Sequence, residues 1–168
     1  KESVRILLYT NCPGTYGAEQ ASHALMCRLT QLGFQVICVQ SEAHHHLIQA
    51  REAIGIQHIW LQDNAHKFWY SVSNVAEVAK IFSQTLPDLI IFADGGPVSN
   101  LAANWVAMQL GIPYLRVIHC VDPDWASKFS TYLPLLPDIY KAAQAIISVS
   151  HANLQLMREQ FQLPAQLG

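Results

Sequence analysis

One histidine stands where a side chain could handle a proton or hold a hydroxyl. His119 closes the apolar run Tyr114-Leu115-Arg116-Val117-Ile118 and precedes a long stretch carrying Asp122 and Asp124. An imidazole at the end of a buried strand is either a satisfied core-edge group or a hydrogen-bonding, proton-handling partner of a bound substrate. Two glycine-bearing turns occupy comparable places. Asn11-Cys12-Pro13-Gly14-Thr15-Tyr16-Gly17 follows the first apolar run, and Asp94-Gly95-Gly96-Pro97 follows Leu89-Ile90-Ile91-Phe92-Ala93. A helix starting just after such a turn offers unpaired backbone N–H groups and a partial positive charge, which suits a phosphate or a sugar. The same glycines also serve as tight turns or as close helix–sheet contacts. Ser150 sits at a further strand exit, where its hydroxyl can cap the helix that follows.

Other chemistries find less support. His44-His45-His46 are consecutive, so their side chains diverge on a helix or alternate on a strand, and a solvated loop suits them better than a metal site. His23 and His58 lie inside a helix and a strand and read as structural. Cys12, Cys27, Cys38 and Cys120 show no C-x-x-C spacing, which fits reduced thiols in a cytoplasmic protein, with Cys27 and Cys38 as small buried hydrophobes. Dinucleotide, phosphate-loop and nucleophile-elbow fingerprints do not occur. The net charge is −2 without a basic run, so nothing marks a nucleic-acid partner. No signal peptide and no apolar run of membrane-spanning length is present, so membrane contact finds no support. Only 13% of residues are charged, about half the usual share, as expected of a surface partly covered by something else.

The elements that position these residues follow from periodicity. Apolar runs at 4–10, 34–39, 56–61, 89–93, 114–118 and 145–149 read as strands, and helical patterns lie between most of them. The first helix, over 17–32, places Ala18, Ala21, Leu25, Leu29 and Leu32 on one stripe and ends at Gly33. A short helix is expected over 45–53 and a longer one over 74–86. Another opens near Pro97 and stops before Gly111. A short helix over 137–143 and a last one after Ser150, with Leu154, Met157 and Phe161 facing inward, complete the pattern, and Pro164 closes it. Residues 63–70 and 120–136 carry no clear period. At 168 residues the chain is long enough for one substantial core. The alternation predicts an α/β fold: a single three-layer, Rossmann-like, doubly wound parallel sheet spanning 1–168, with every strand exit opening into one crevice.

Four segments, in order, resemble a known family. The first strand leads into Tyr16-Gly17-Ala18-Glu19, similar to a Gly-Gly-Ala-Glu loop. Pro87-Asp88-Leu89-Ile90-Ile91 is similar to a Pro-Asp-hydrophobic strand. Gly111-Ile112-Pro113 through Ile118-His119 is similar to a Gly-x-Pro strand ending in histidine. Ala145-Ile146-Ile147-Ser148-Val149-Ser150 is similar to an Ala-x-hydrophobic-Val-Ser strand before the last helix. Together they resemble the N-terminal, acceptor-side half of a GT-B retaining glycosyltransferase of the large group 4-like family. The resemblance spans nearly the whole chain.

The resemblance implies a nucleotide-diphosphate sugar as donor substrate, a sugar, glycan or lipid acceptor, and no further cofactor or metal. It implies that His119 hydrogen-bonds the transferred sugar and is the catalytic candidate, and that Gly17 lets the ligand approach the backbone. Gly14, Tyr16, Glu19, Asp94, Gly95, Gly96, Asp122 and Ser150 complete the set of expected substrate or donor contacts. Tyr16 replaces the family's first glycine, and Asp94 stands where a histidine or another polar residue is common. In such enzymes a second α/β domain holds most of the nucleotide-sugar. The chain reads as the first half of such an enzyme, with that domain as its partner, inactive alone. The alternative reading is a self-contained α/β domain that binds a small ligand without catalysis.

Overall fold

The computed structural model describes residues 3–10, 15, 17–62, 74–97, 99–119, 121, 124, 130–148 and 150–160. Six strands form one sheet: β1 (Arg5–Thr10), β2 (Gln35–Ser41), β3 (Gln57–Leu61), β4 (Leu89–Asp94), β5 (Tyr114–Ile118) and β6 (Ala145–Ser148). Their order is β3-β2-β1-β4-β5-β6, and every pairing is parallel. The helices are α1 (Gly17–Gln31), α2 (His46–Ala53), α3 (Val75–Thr85), α4 (Leu101–Leu110), α5 (Leu136–Ala142) and α6 (His151–Gln160), with a 3-10 turn over Ser130–Leu135. The chain winds outward from β1 to β3, returns to β4, and winds outward the other way. Its switch point lies between β1 and β4, where the crevice of such a sheet forms.

Alternation along the strands builds the three layers. Leu7 and Tyr9 of β1, with Ile90 and Phe92 of β4, pack against Val78, Ile81 and Phe82 of α3 and Val106 and Ala107 of α4. Ile6, Leu8, Ile91 and Ala93 face the other way and pack in one cluster with Met26 of α1. A third cluster joins Leu101, Ile118, Leu136, Ile139, Tyr140, Ile146 and Met157, seating α5 and α6 against the β5–β6 end. Strands buried on both faces explain the continuous apolar runs that marked them in the sequence.

Two helix ends follow the expected glycines. Gly33 and Gly111 both adopt positive φ, +96° and +69°, and the residue after each returns a backbone hydrogen bond into the preceding helix. Two expectations are corrected. Ser22 and Met26 form the buried line of α1, flanked by Leu25 and Leu29, whereas Ala21 and Leu32 are exposed. The stripe is rotated because Met26 is the α1 residue that joins the buried cluster of Ile6, Leu8, Val36 and Cys38. Pro97 does not open α4. That helix starts at Leu101, after Asn100 in a left-handed conformation (φ 55°), and Pro97 belongs to the turn before it. Among the described residues no helix is long and apolar enough to cross a membrane.

Candidate functional site

The carboxyl edge of the sheet carries two groups of polar residues, one toward each helical layer. Even-numbered residues of β4 and β5 point toward α4 and α5, so Asp94 and Arg116 lie on that side. His119, in phase with Val117, turns toward α1.

On the α1 side, His119 lines a mostly apolar niche of about 130 Å3 together with Leu8, Ser22, Leu25, Ala93 and Val117. Burial draws the imidazole pKa below its ordinary value, against the opposing pull of Asp94 and Glu19. The ring is therefore neutral at pH 7, with one nitrogen able to donate and the other to accept. Glu19 lies in the first turn of α1, and its Oε2 is buried without a hydrogen-bond partner. An unpartnered carboxylate oxygen costs stability unless something outside the chain satisfies it. Gly17 opens the same helix, and a Cβ built there would meet nothing within 4 Å. No packing among the described residues requires glycine at that position.

The α4 side is a hydrogen-bonded network, in which the Asn100 and Asn104 Oδ1 atoms are buried without a partner. The Asp94 carboxylate accepts from Arg116 Nε (2.7 Å) and from Asn100 Nδ2 (2.6 Å). Arg116 donates further to the carbonyls of Pro97 (3.3 Å) and Ser99 (3.1 Å), and its guanidinium stacks 4.4 Å over the Tyr140 ring. Tyr140 donates its hydroxyl hydrogen to the Pro97 carbonyl (3.0 Å), and the Gly96 N–H donates to Ser99 Oγ (3.0 Å). Asp94 and Arg116 are both fully buried. Burial pushes the Asp94 carboxyl upward, opposed by Arg116, Asn100 and His119.

The expected site residues thus separate. Glu19 and His119 come together electrostatically at the rim, and the backbone N–H of His119 donates to the Asp94 carbonyl (3.2 Å), which ties it to the Gly95–Gly96 turn. The Asp94 carboxylate is fully buried and bonded to Arg116 and Asn100, so it lies beneath the rim. Ser150 caps α6, its Oγ accepting from the Asn153 N–H (3.1 Å), and it remains exposed at the end of β6. Gly14, Tyr16 and Asp122 lie outside the described residues, as do Cys12 and Cys120. Sequence reasoning missed Arg116, Ser99 and Asn100. The signal was a charged residue inside the apolar run Tyr114-Leu115-Arg116-Val117-Ile118, which demands a buried partner on a neighbouring strand.

Four histidines outside the rim make local contacts or sit at helix ends, and His66 lies outside the described residues. His44 pairs with Glu42 (3.0 Å) in an exposed contact, His46 opens α2, and the His58 ring stacks on Trp60 at 5.1 Å. His23 Nε2 lies 3.6 Å from Cys27 Sγ. Among the described residues no group of three or more His, Cys, Asp or Glu side chains is placed to hold a metal ion.

The profile of the glycosyl transferase 4-like domain matches residues 16–167, nearly the whole chain and both sides of this rim. The chain belongs to that family. Its fold is that of the N-terminal domain of GT-B enzymes. No curated protein matches it in sequence. This glycosyl transferase 4-like domain superposes on a glycosyltransferase from Rickettsia africae with a TM-score of 0.61 at 14% identity, covering 98% of this chain and 41% of that one. MurG from Acinetobacter baumannii aligns with a TM-score of 0.58 at 15% identity, over 89% of this chain and 42% of its own. A UDP-GlcNAc 2-epimerase from Neisseria meningitidis, solved with UDP-GlcNAc bound, gives 0.60 at 13% identity, over 96% and 45%. The domain spans less than half the length of each of these structures.

Proposed function

We propose that this domain is the acceptor-side wall of a cleft in which a retaining glycosyltransferase moves a sugar from a nucleotide-diphosphate donor to an acceptor. The observation that carries the reading is a neutral, half-buried His119 lining a niche at the carboxyl edge of the sheet, within electrostatic reach of Glu19, whose Oε2 is buried without a hydrogen-bond partner. A neutral imidazole and an orphan carboxylate suit sugar hydroxyls, which both donate and accept.

The same pair argues against the diphosphate resting here. Glu19 occupies the first turn of α1, where its negative charge repels a phosphate approaching that helix end. A helix N-terminus contributes only about 0.3–1 kcal/mol to an exposed anion, too little to retain a donor. The nucleotide is therefore held mainly by a second α/β domain, in keeping with the domain's coverage of 41–45% of these structural neighbours. Catalysis then rests on positioning and on stabilising the departing diphosphate in the closed cleft.

Calorimetry and product analysis test this. The 168-residue chain alone should neither transfer sugar nor bind a nucleotide-sugar with micromolar affinity, whereas the intact protein should consume a nucleoside-diphosphate sugar only with an acceptor present. Micromolar binding by the isolated chain would contradict the reading. So would acceptor-independent epimerisation of the donor sugar by the intact protein.

A further inference from the structure

The buried pair on the α4 side is built in a way that stability alone does not explain. Two charges withdrawn from water are often no better than an apolar pair of the same volume, so a buried ion pair is weak evidence of a stability device. Here the guanidinium does more than neutralise Asp94. Its remaining donors reach the carbonyls of Pro97 and Ser99, two residues of the turn that leaves β4, and Tyr140 both stacks beneath it and donates to the Pro97 carbonyl. Asn100, held at positive φ, closes the turn onto the other carboxylate oxygen. The Asp94 carbonyl accepts from the His119 N–H. One side chain from β5 thus fixes the backbone of the glycine turn from below, and it anchors the side chain of Asp94, whose main-chain carbonyl accepts from the histidine N–H.

We propose that Arg116 is a positioning residue: through its fork to Asp94, Pro97 and Ser99 it holds the Gly95–Gly96 turn and His119 in the arrangement that receives the sugar. The inference rests on the rim being the site of sugar transfer. A planar guanidinium suits the task because it presents several donors in fixed directions, whereas an ammonium is a mobile point charge. Arg116 touches no ligand in this scheme and acts through the turn and the histidine backbone.

The test uses the intact protein carrying Arg116→Met together with Asp94→Asn, a charge-free pair that leaves no buried ion unpartnered. Arg116→Lys serves as the conservative variant. Amide hydrogen exchange at Gly95, Gly96, Ser99 and Asn100 and the titration of the His119 ring are read by NMR, beside the denaturation midpoint. The expected result for the double variant is a midpoint close to that of the parent. Its turn amides should exchange on the order of tenfold faster than the parent's. The His119 titration should move to lower pH, because the Asp94 charge that favours the imidazolium is gone. Lysine should restore the His119 titration but not the slow exchange of the turn. A double variant whose turn amides and histidine match the parent would overturn the proposal, as would full restoration of slow exchange by lysine. Neither readout needs catalysis. A parent protein that consumes no nucleotide-sugar would count against the transferase reading and leave this outcome readable.

Discussion

Two arginines are buried in this domain, and they live in opposite circumstances. Arg116, on β5, is fully buried and faces a carboxylate at 2.7 Å. Arg51, on α2, is 3% exposed and has no carboxylate partner among the described residues. Its Nε donates to the Leu47 carbonyl of its own helix (3.2 Å), and Nη1 meets Cys38 Sγ (3.3 Å), Gln40 Oε1 (3.4 Å) and Met26 Sδ (4.0 Å). Soft sulfur and an amide oxygen are weaker company for a cation than a carboxylate. The charge of Arg51 is instead felt by its neighbours. Burial first, then Arg51, holds the pKa values of His23 and His58 below the ordinary range, His58 at about 4. One buried cation faces a carboxylate and a turn, and the other adds its charge to the burial that holds two histidines neutral.

The contrast predicts unequal costs of deletion. Asp94→Ala leaves Arg116 buried without its counter-charge and should cost about 3–5 kcal/mol, since breaking a buried pair strands an ion. Arg116→Met should cost a similar amount for the same reason. Arg51→Met strands no charge and should cost about 1 kcal/mol at pH 7, chiefly in lost hydrogen bonds. Denaturant midpoints of the three variants check the order. Equal costs for Arg51→Met and Arg116→Met would erase the distinction.

The pH dependence comes next in size. The His58 side chain is 3% exposed, and its folded pKa of about 4 lies below its ordinary value of 6.5. Between those values the unfolded chain binds the extra proton, so stability is full above pH 6.5 and drains as pH falls to 4. The loss amounts to about 3 kcal/mol. His58→Phe, which keeps a ring against Trp60, should flatten this acid slope, and Arg51→Met should shorten it, because relieving the repulsion raises the folded pKa of His58 toward 6.5. A slope unchanged in both variants would place the titration elsewhere. Smaller still is the effect of Asn100→Gly. It loses a charge-assisted hydrogen bond to Asp94 but relieves a left-handed backbone, for a net cost of about 1 kcal/mol by thermal melts.

The sequence made the fold legible because strands buried on both faces read as continuous apolar runs and because Gly33 and Gly111 mark helix ends. Strand order was not legible: nothing in Leu89-Ile90-Ile91-Phe92-Ala93 says that it pairs with β1 rather than with β3. At the rim, His119 stood out because it terminates an apolar strand. The separation of the polar residues into two groups did not, because it depends on the phase of each strand relative to the helices. Asp94 gave no sign of its burial for that reason. Its one-residue difference in phase from Gly95 turns its carboxylate inward, onto an arginine that the sequence displayed only as an odd charge in an apolar run. The stripe of α1 failed similarly, since Met26 competes with Leu25 for the same face and only packing decides.

The most direct test of the sugar-transfer rim is His119→Ala in the intact protein, assayed with whichever nucleoside-diphosphate sugar the parent consumes and followed in parallel by its denaturation midpoint. A half-buried histidine that handles substrate and supports little packing predicts turnover lower by about 100-fold, with the midpoint nearly unchanged. An unchanged rate, or a loss of activity fully explained by unfolding, would contradict the account and return His119 to the core edge.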